Sequence, residues 1–217
     1  MQLGEQEQAA LKASIAQVGQ RVARELGERP ELAQALHVVG FLHAAIDKTV
    51  DQAALRGQKP ACQPGCASCC HLRVEVSPVE ALRLAACLQD WPAEKLQDLQ
   101  QGLHLRLARL NESSEPSPRL PCVFLQDSMC CIYPWRPANC RKAHSFSAED
   151  CQQGAAHIPQ DLAITLAAEA LQAGTAQGYR QAGLAVAPLE LTRALLWALE
   201  QPSAGEHWLA GKDVPTL

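Results

Sequence analysis

The stretch CQPGCASCC, residues 62–70, sets four thiols within nine positions, and its Pro and Gly cannot continue a helix. It divides the chain. Upstream, Leu11, Ile15, Val18, Val22 and Leu26 step by three and four, Gly27 to Pro30 interrupts them, and a second apolar stretch runs from Leu32 to Val50. Residues 1–57 therefore read as two antiparallel helices ended by Gly57 and Pro60. Downstream, Ser77-Pro78-Val79-Glu80 has the form of a capping box with proline at the first helical position, which starts a helix running to about Gln89. Asp90-Trp91-Pro92 offers a further cap, after which Leu96, Leu99, Leu103 and Leu107 mark an amphipathic helix toward Asn111.

Residues 113–121, SSEPSPRLP, form a loop. Two short β-prone pieces around Gln126-Asp127-Ser128 then predict a small hairpin within 122–133. From about Pro159 Ala/Leu-rich helices return, with a Gly-rich break between Gly174 and Gly183 and a last helical stretch from Leu189 to Leu199. The expected fold is mainly α in one domain: N-terminal helices over 1–57, a loop-rich cysteine core over 60–152 with a short β-hairpin, and C-terminal helices over 159–217.

Composition agrees. Of the 217 residues 47% are hydrophobic but only 4% aromatic, so the core draws on Ala, Leu and Val, the residues of packed helices. A net charge of -4 without a dense Lys/Arg run disfavours nucleic acid as a partner. No segment has the length of a membrane span, and the acidic, amphipathic start does not read as a secretory signal. The expectation is a cytoplasmic protein, where ten cysteines would not persist as disulfides and metal binding is the leading explanation.

All ten cysteines lie between Cys62 and Cys151. Cys66-Ala67-Ser68-Cys69 has the spacing that turns two soft thiolates toward one ion, and Cys62 adds a third. Cys70 is expected to face another site than Cys69, because neighbouring side chains diverge. A second group, Cys122, Cys130, Cys131, Cys140 and Cys151, must converge on the first for the set to be useful; together they suffice for two mononuclear sites, two iron–sulfur clusters, or one of each. Cys87 falls at helical spacing with Leu84, Leu88 and Trp91 and reads as a packing residue. Cys131 is either a spare thiol or a substitute ligand. His71, His144 and His157 read as supporting or surface residues, and His37 and His43 as structural ones. Arg136 and Arg141 either offset thiolate charge or hold their loop by ion pairs. Phe124 and Tyr133 are expected to seal the centre from water.

Cys62-x3-Cys66-x2-Cys69-Cys70, Cys122-Val-Phe-Leu, Cys130 with Ile132-Tyr133, Arg136-Pro137-x2-Cys140-Arg141 and finally Cys151 resemble the YkgJ-like cysteine-cluster family, a zinc- or iron-chelating domain of bacteria. The resemblance covers about 60–152. It implies a metal centre on Cys62, Cys66, Cys69, Cys70, Cys122, Cys130, Cys140 and Cys151, holding zinc or an iron–sulfur cluster. The same kind of domain occurs in flagellin lysine methylases, so a structural or redox-sensing metal protein stands beside two alternatives: a metal-dependent modifying enzyme, and a metal-stapled module that holds a protein partner. No catalytic triad, phosphate-cradling loop or carboxylate pair is present in the sequence, and Gly174 to Gly183 lacks the preceding strand of a nucleotide-binding turn.

Overall fold

The computed structural model describes residues 4–55, 59–115, 117–212 and 214. Helix predominates, with two small ribbons of two strands each. The first helix, α1 (Glu5–Leu26), stops at Gly27, whose φ of 65° lies in the left-handed region that glycine tolerates. Next comes α2 (Leu32–Ala54); the expected terminator Gly57 lies outside the described residues. The main packing partner of α1 is not α2 but α7 (Leu162–Gln181).

That pairing overturns the expected break at Gly174. Helix α7 runs unbroken through Gly174 and Gly178, which sit one turn apart on the face against α1. A Cβ at Gly174 would come within 2.5 Å of Val18 Cβ, and one at Gly178 within 2.5 Å of Val22 Cβ. Each glycine costs the helix about 1 kcal/mol of propensity, and the close approach of the two backbones offsets it. The turn comes later, at Gly183, where φ is 77°.

Ser77 and Glu80 form the expected capping box of α3 (Pro78–Leu88). The following helix, α4 (Ala93–Glu112), begins after Pro92 with no side-chain cap, so Asp90 does not play the role expected of it. The hairpin is present: β2 (Leu125–Gln126) pairs antiparallel with β3 (Met129–Cys130), and Asp127 and Ser128 both take positive φ, as a two-residue primed turn requires. The sequence reading did not anticipate the other ribbon, in which β1 (Glu75–Val76) pairs antiparallel with β4 (Leu189–Glu190). It ties the chain just after the first cysteine group to the start of α8 (Leu191–Glu200). Short α5 (Ala138–Lys142), α6 (Ala148–Gln153) and α9 (Ala204–Leu209) complete the order.

Two apolar clusters form the core. One joins α1, α2, α7 and α9 around Leu26, Val39, Ile46, Ala168, Tyr179 and Trp208. The other joins α3, α4 and α8 around Leu88, Leu103, Leu195 and Leu196, with Phe124 and Ile132 from the hairpin region. Helices α3 and α8 contribute to both: Leu82 and Trp197 face the first cluster, Leu84 and Leu195 the second. The aromatic groups of the first cluster keep their polar ends bonded. Tyr179 donates its hydroxyl to Ala35 O at 2.6 Å, and Trp208 donates Nε1–H to Ala185 O at 2.8 Å. Among the described residues no helix is long and apolar enough to cross a membrane.

Candidate metal centre

Each cysteine of the set stands on a short local device. Gly65, at φ 87°, turns the chain between Cys62 and Cys66, and Cys66 N–H donates to Gln63 O at 2.9 Å. Cys69 and Cys70 occupy a single 3-10 turn, Ser68–His71. Cys122 precedes the hairpin, Cys130 lies on β3, Cys140 in α5 and Cys151 in α6. Ser147 caps α6, its hydroxyl accepting from Asp150 N–H at 3.1 Å.

The two remote groups meet. Cys122 N–H donates to Cys70 O at 2.8 Å, and Ala61 N–H donates to Ser145 O at 2.7 Å, so the first group is bonded to the hairpin on one side and to the loop before α6 on the other. Electrostatics traces the same convergence. Partial burial pushes the Cys62 thiol up, and the nearby thiols of Cys66, Cys69 and Cys151 push it further. Burial raises Cys122 to about 11, with Cys130 and Cys131 adding to it. Burial also raises Cys140, with contributions from Cys122, Cys69, Cys130 and the Glu80 carboxylate. Cys69 and Cys70 share one tight turn, and each acts on the other in opposite senses: Cys70 chiefly holds Cys69 down at about 6, while Cys69 chiefly raises Cys70. Cys62 thus has Cys66, Cys69 and Cys151 near it, while Cys70, Cys122, Cys130 and Cys140 act on one another, and Cys69 acts on both sides.

Basic side chains face this sulfur-rich region. Arg136 lowers Cys130 and Arg106 lowers Cys122, each against the larger raising effect of burial, and His71 adds to the lowering of Cys69 by Cys70. Arg106 was missed in the sequence, yet it follows Leu99 and Leu103 on the apolar face of α4, a position where a charge signals a buried partner. It is 8% exposed, donates to Leu120 O at 3.3 Å and pairs at 3.6 Å with Glu190. Both open readings of Arg136 find some support, since Arg136 also pairs with Asp47 of α2 at 3.1 Å. Arg141 pairs with the same carboxylate and donates to Arg136 O and Pro134 O, which makes it a loop-holding residue.

Glu80 is the other support that sequence reasoning missed. Beyond its capping box, it accepts from Ala138 N–H at 2.8 Å, 58 residues away, and pairs with His43 Nε2 at 3.0 Å. Burial alone would raise this carboxyl, but His43 and the Ala138 and Ser77 amides outweigh it and hold it below 4.5. One buried carboxylate therefore fixes α2, α3 and the start of α5, which carries Cys140.

Other residues are engaged elsewhere. His144 is buried with both ring nitrogens engaged, Nδ1–H toward Lys142 O at 2.8 Å and Nε2 accepting from Asp161 N–H at 2.7 Å, so it closes the loop around α6. Cys131 faces α4, where it lines a recess of about 160 Å³ with Trp91, Lys95 and Leu99. Cys87 is half-buried on α3, with Arg83 and Asp90 rather than thiols acting on it. Phe124 is buried at 1% exposure as expected, but Tyr133 is 60% exposed, its ring covered by the Arg136 guanidinium at 3.9 Å instead of sealing the site.

Residues 61–159 match the family model CxxCxxCC, whose description is "Putative zinc- or iron-chelating domain". Over this segment the chain is similar to a CxxCxxCC domain. The match bears out the resemblance read from the cysteine spacing and supports zinc or iron as its ligand class. No curated protein and no solved structure matches the chain. The donor set of this segment suits those metals, since thiolates are soft ligands for zinc and for iron–sulfur clusters. Among the described residues no group of three or more Cys, His, Asp or Glu side chains is gathered as closely as an ion would hold them.

Proposed function

We propose that this protein is a metal-binding protein of the reducing cytoplasm, in which Cys62, Cys66, Cys69 and Cys151 form one four-sulfur set and Cys70, Cys122, Cys130 and Cys140 another. The metal, as zinc or as an iron–sulfur cluster, would supply the cross-link that draws the loops of 61–159 together, and in the cluster form a redox-responsive centre. The supporting observation is the meeting of two remote thiol groups through the Cys122 to Cys70 backbone bond. Packed thiols whose ionisation is opposed by burial and by one another are relieved when a cation takes the place of their protons. Cys69 and Cys70, adjacent within one turn, would couple the two sets, so loss of one set should loosen the other.

Metal analysis of anaerobically purified protein tests the reading. Two metal centres per chain are expected, colourless for zinc, brown and bleaching in air for iron–sulfur. Cys66→Ser should strip metal and solubility together, while Cys87→Ser keeps both. A folded, freshly isolated protein free of transition metal would refute it.

A further inference from the structure

A cavity of about 290 Å³ lies beside the cysteine domain, between β1, the first turn of α3, α5, α7 and residues 185–188. At about 30 Å³ for each water-sized group, it accommodates roughly ten non-hydrogen atoms. Leu42, Val76, Val79, Ala176, Val186 and Pro188 give it an apolar wall. Most polar groups on its surface are already satisfied. Glu80 is bonded as described, Tyr179 donates to Ala35 O, and Gln172 donates to Asn139 Oδ1 at 3.2 Å. Thr175 is different: it lines the cavity, and its hydroxyl makes no side-chain hydrogen bond among the described residues. Every fully buried side-chain polar atom among those residues has a partner, so this hydroxyl is not a buried orphan but a group that keeps access to the open space of the cavity.

The rim carries a second available group. The Arg180 side chain is exposed and makes no ion pair or hydrogen bond among the described residues, whereas Glu75, also at the rim, is engaged by Arg73 at 3.4 Å. A ligand carboxylate is therefore attracted at the mouth, and the buried Glu80 carboxylate keeps a second negative charge away from the floor. Thr175 and Arg180 are five residues apart on α7, about 7.5 Å along the axis, a distance that a short alkyl chain spans.

We propose that this cavity binds a small aliphatic carboxylate bearing a second hydrogen-bonding group, with the carboxylate on Arg180, the alkyl body on the apolar wall and the second polar group on the Thr175 hydroxyl. The proposal is independent of metal identity and of the cysteine assignment. The probe is 6-hydroxyhexanoate, titrated into the protein as isolated and followed by calorimetry and by the NMR signal of the Thr175 methyl group. Saturable binding is expected, weakened at least fivefold in Arg180→Gln and lost in Ala176→Phe, which fills the cavity. Thr175→Val should lower affinity for 6-hydroxyhexanoate to that for hexanoate while leaving hexanoate binding unchanged. Circular dichroism and metal content of the variants should equal those of the parent, which separates ligand loss from misfolding. The proposal is overturned if 6-hydroxyhexanoate shows no saturable binding to the parent, if 1,6-hexanediol binds as tightly, or if Arg180→Gln and Thr175→Val leave affinity unchanged.

Discussion

The contact between α1 and α7 and the contact between the 62–70 and 122–151 segments are both long-range, but different forces hold them. Between the helices, Gly174 and Gly178 let Val18 and Val22 approach so closely that no other side chain fits, and neighbouring residues such as Leu26 and Tyr179 are almost wholly buried. Removing such side chains from water stabilises the fold by about 1.5–3 kcal/mol each, without help from an ion. Between the cysteine segments the elements are only a few residues long, eight of the ten thiols are half-buried and Cys62 and Cys69 are exposed. That region is fastened by single backbone bonds and by two carboxylate hubs, Glu80 and Asp47. The helical frame is held by its own apolar packing, whereas the cysteine region is held by few bonds between short elements.

The largest expected effect follows from that contrast. Thiolate metal sites contribute about 10 kcal/mol or more, so chelation of the reduced protein should expose amides across 61–159 to hydrogen exchange while those of α1, α2 and α7 stay protected. Uniform loss of protection would show that the frame depends on the centre after all. Next in size is Glu80→Ala, which leaves His43 and the Ala138 amide unpartnered; unfolding in denaturant should register a loss of about 3–5 kcal/mol, with metal released from the set containing Cys140.

The same carboxylate has a pH signature. Its folded pKa is depressed, so its contribution is complete above the ordinary value of 4.5 and is lost as pH falls through the lower folded value. Acid unfolding of the parent should therefore steepen below pH 4.5, and Glu80→Gln should flatten that part of the profile. Gly178→Ala should cost about 1–3 kcal/mol by overpacking while metal content stays at the parent level, because the damage is confined to the frame. Smallest of all, Cys131→Ser should change stability by about 1 kcal/mol or less and leave bound metal unchanged, since its side chain faces α4; loss of one metal equivalent would return Cys131 to the ligand set.

Most of this architecture was legible in one dimension where the cause is local. The Ser77–Glu80 box, the Asp127-Ser128 turn and the stop at Gly27 depend on residues a few positions apart, and each is found where the pattern placed it. The errors share a cause as well. Gly174 and Gly178 read as a break because propensity alone counts against glycine, and only the approach of α1 reverses the sign. Tyr133 read as a seal because it neighbours Cys130, but Arg136 holds it at the surface.

From its order of residues alone this protein declared helices, a cysteine-rich interruption and a zinc- or iron-chelating family, because hydrophobic period and thiol spacing are written along the chain. That the two remote cysteine groups meet, that Glu80 fastens α5 from 58 residues away, and that Thr175 lines a cavity were decided only in three dimensions. Hydrogen bonding and charge depend on distance in space, and sequence separation carries no record of it.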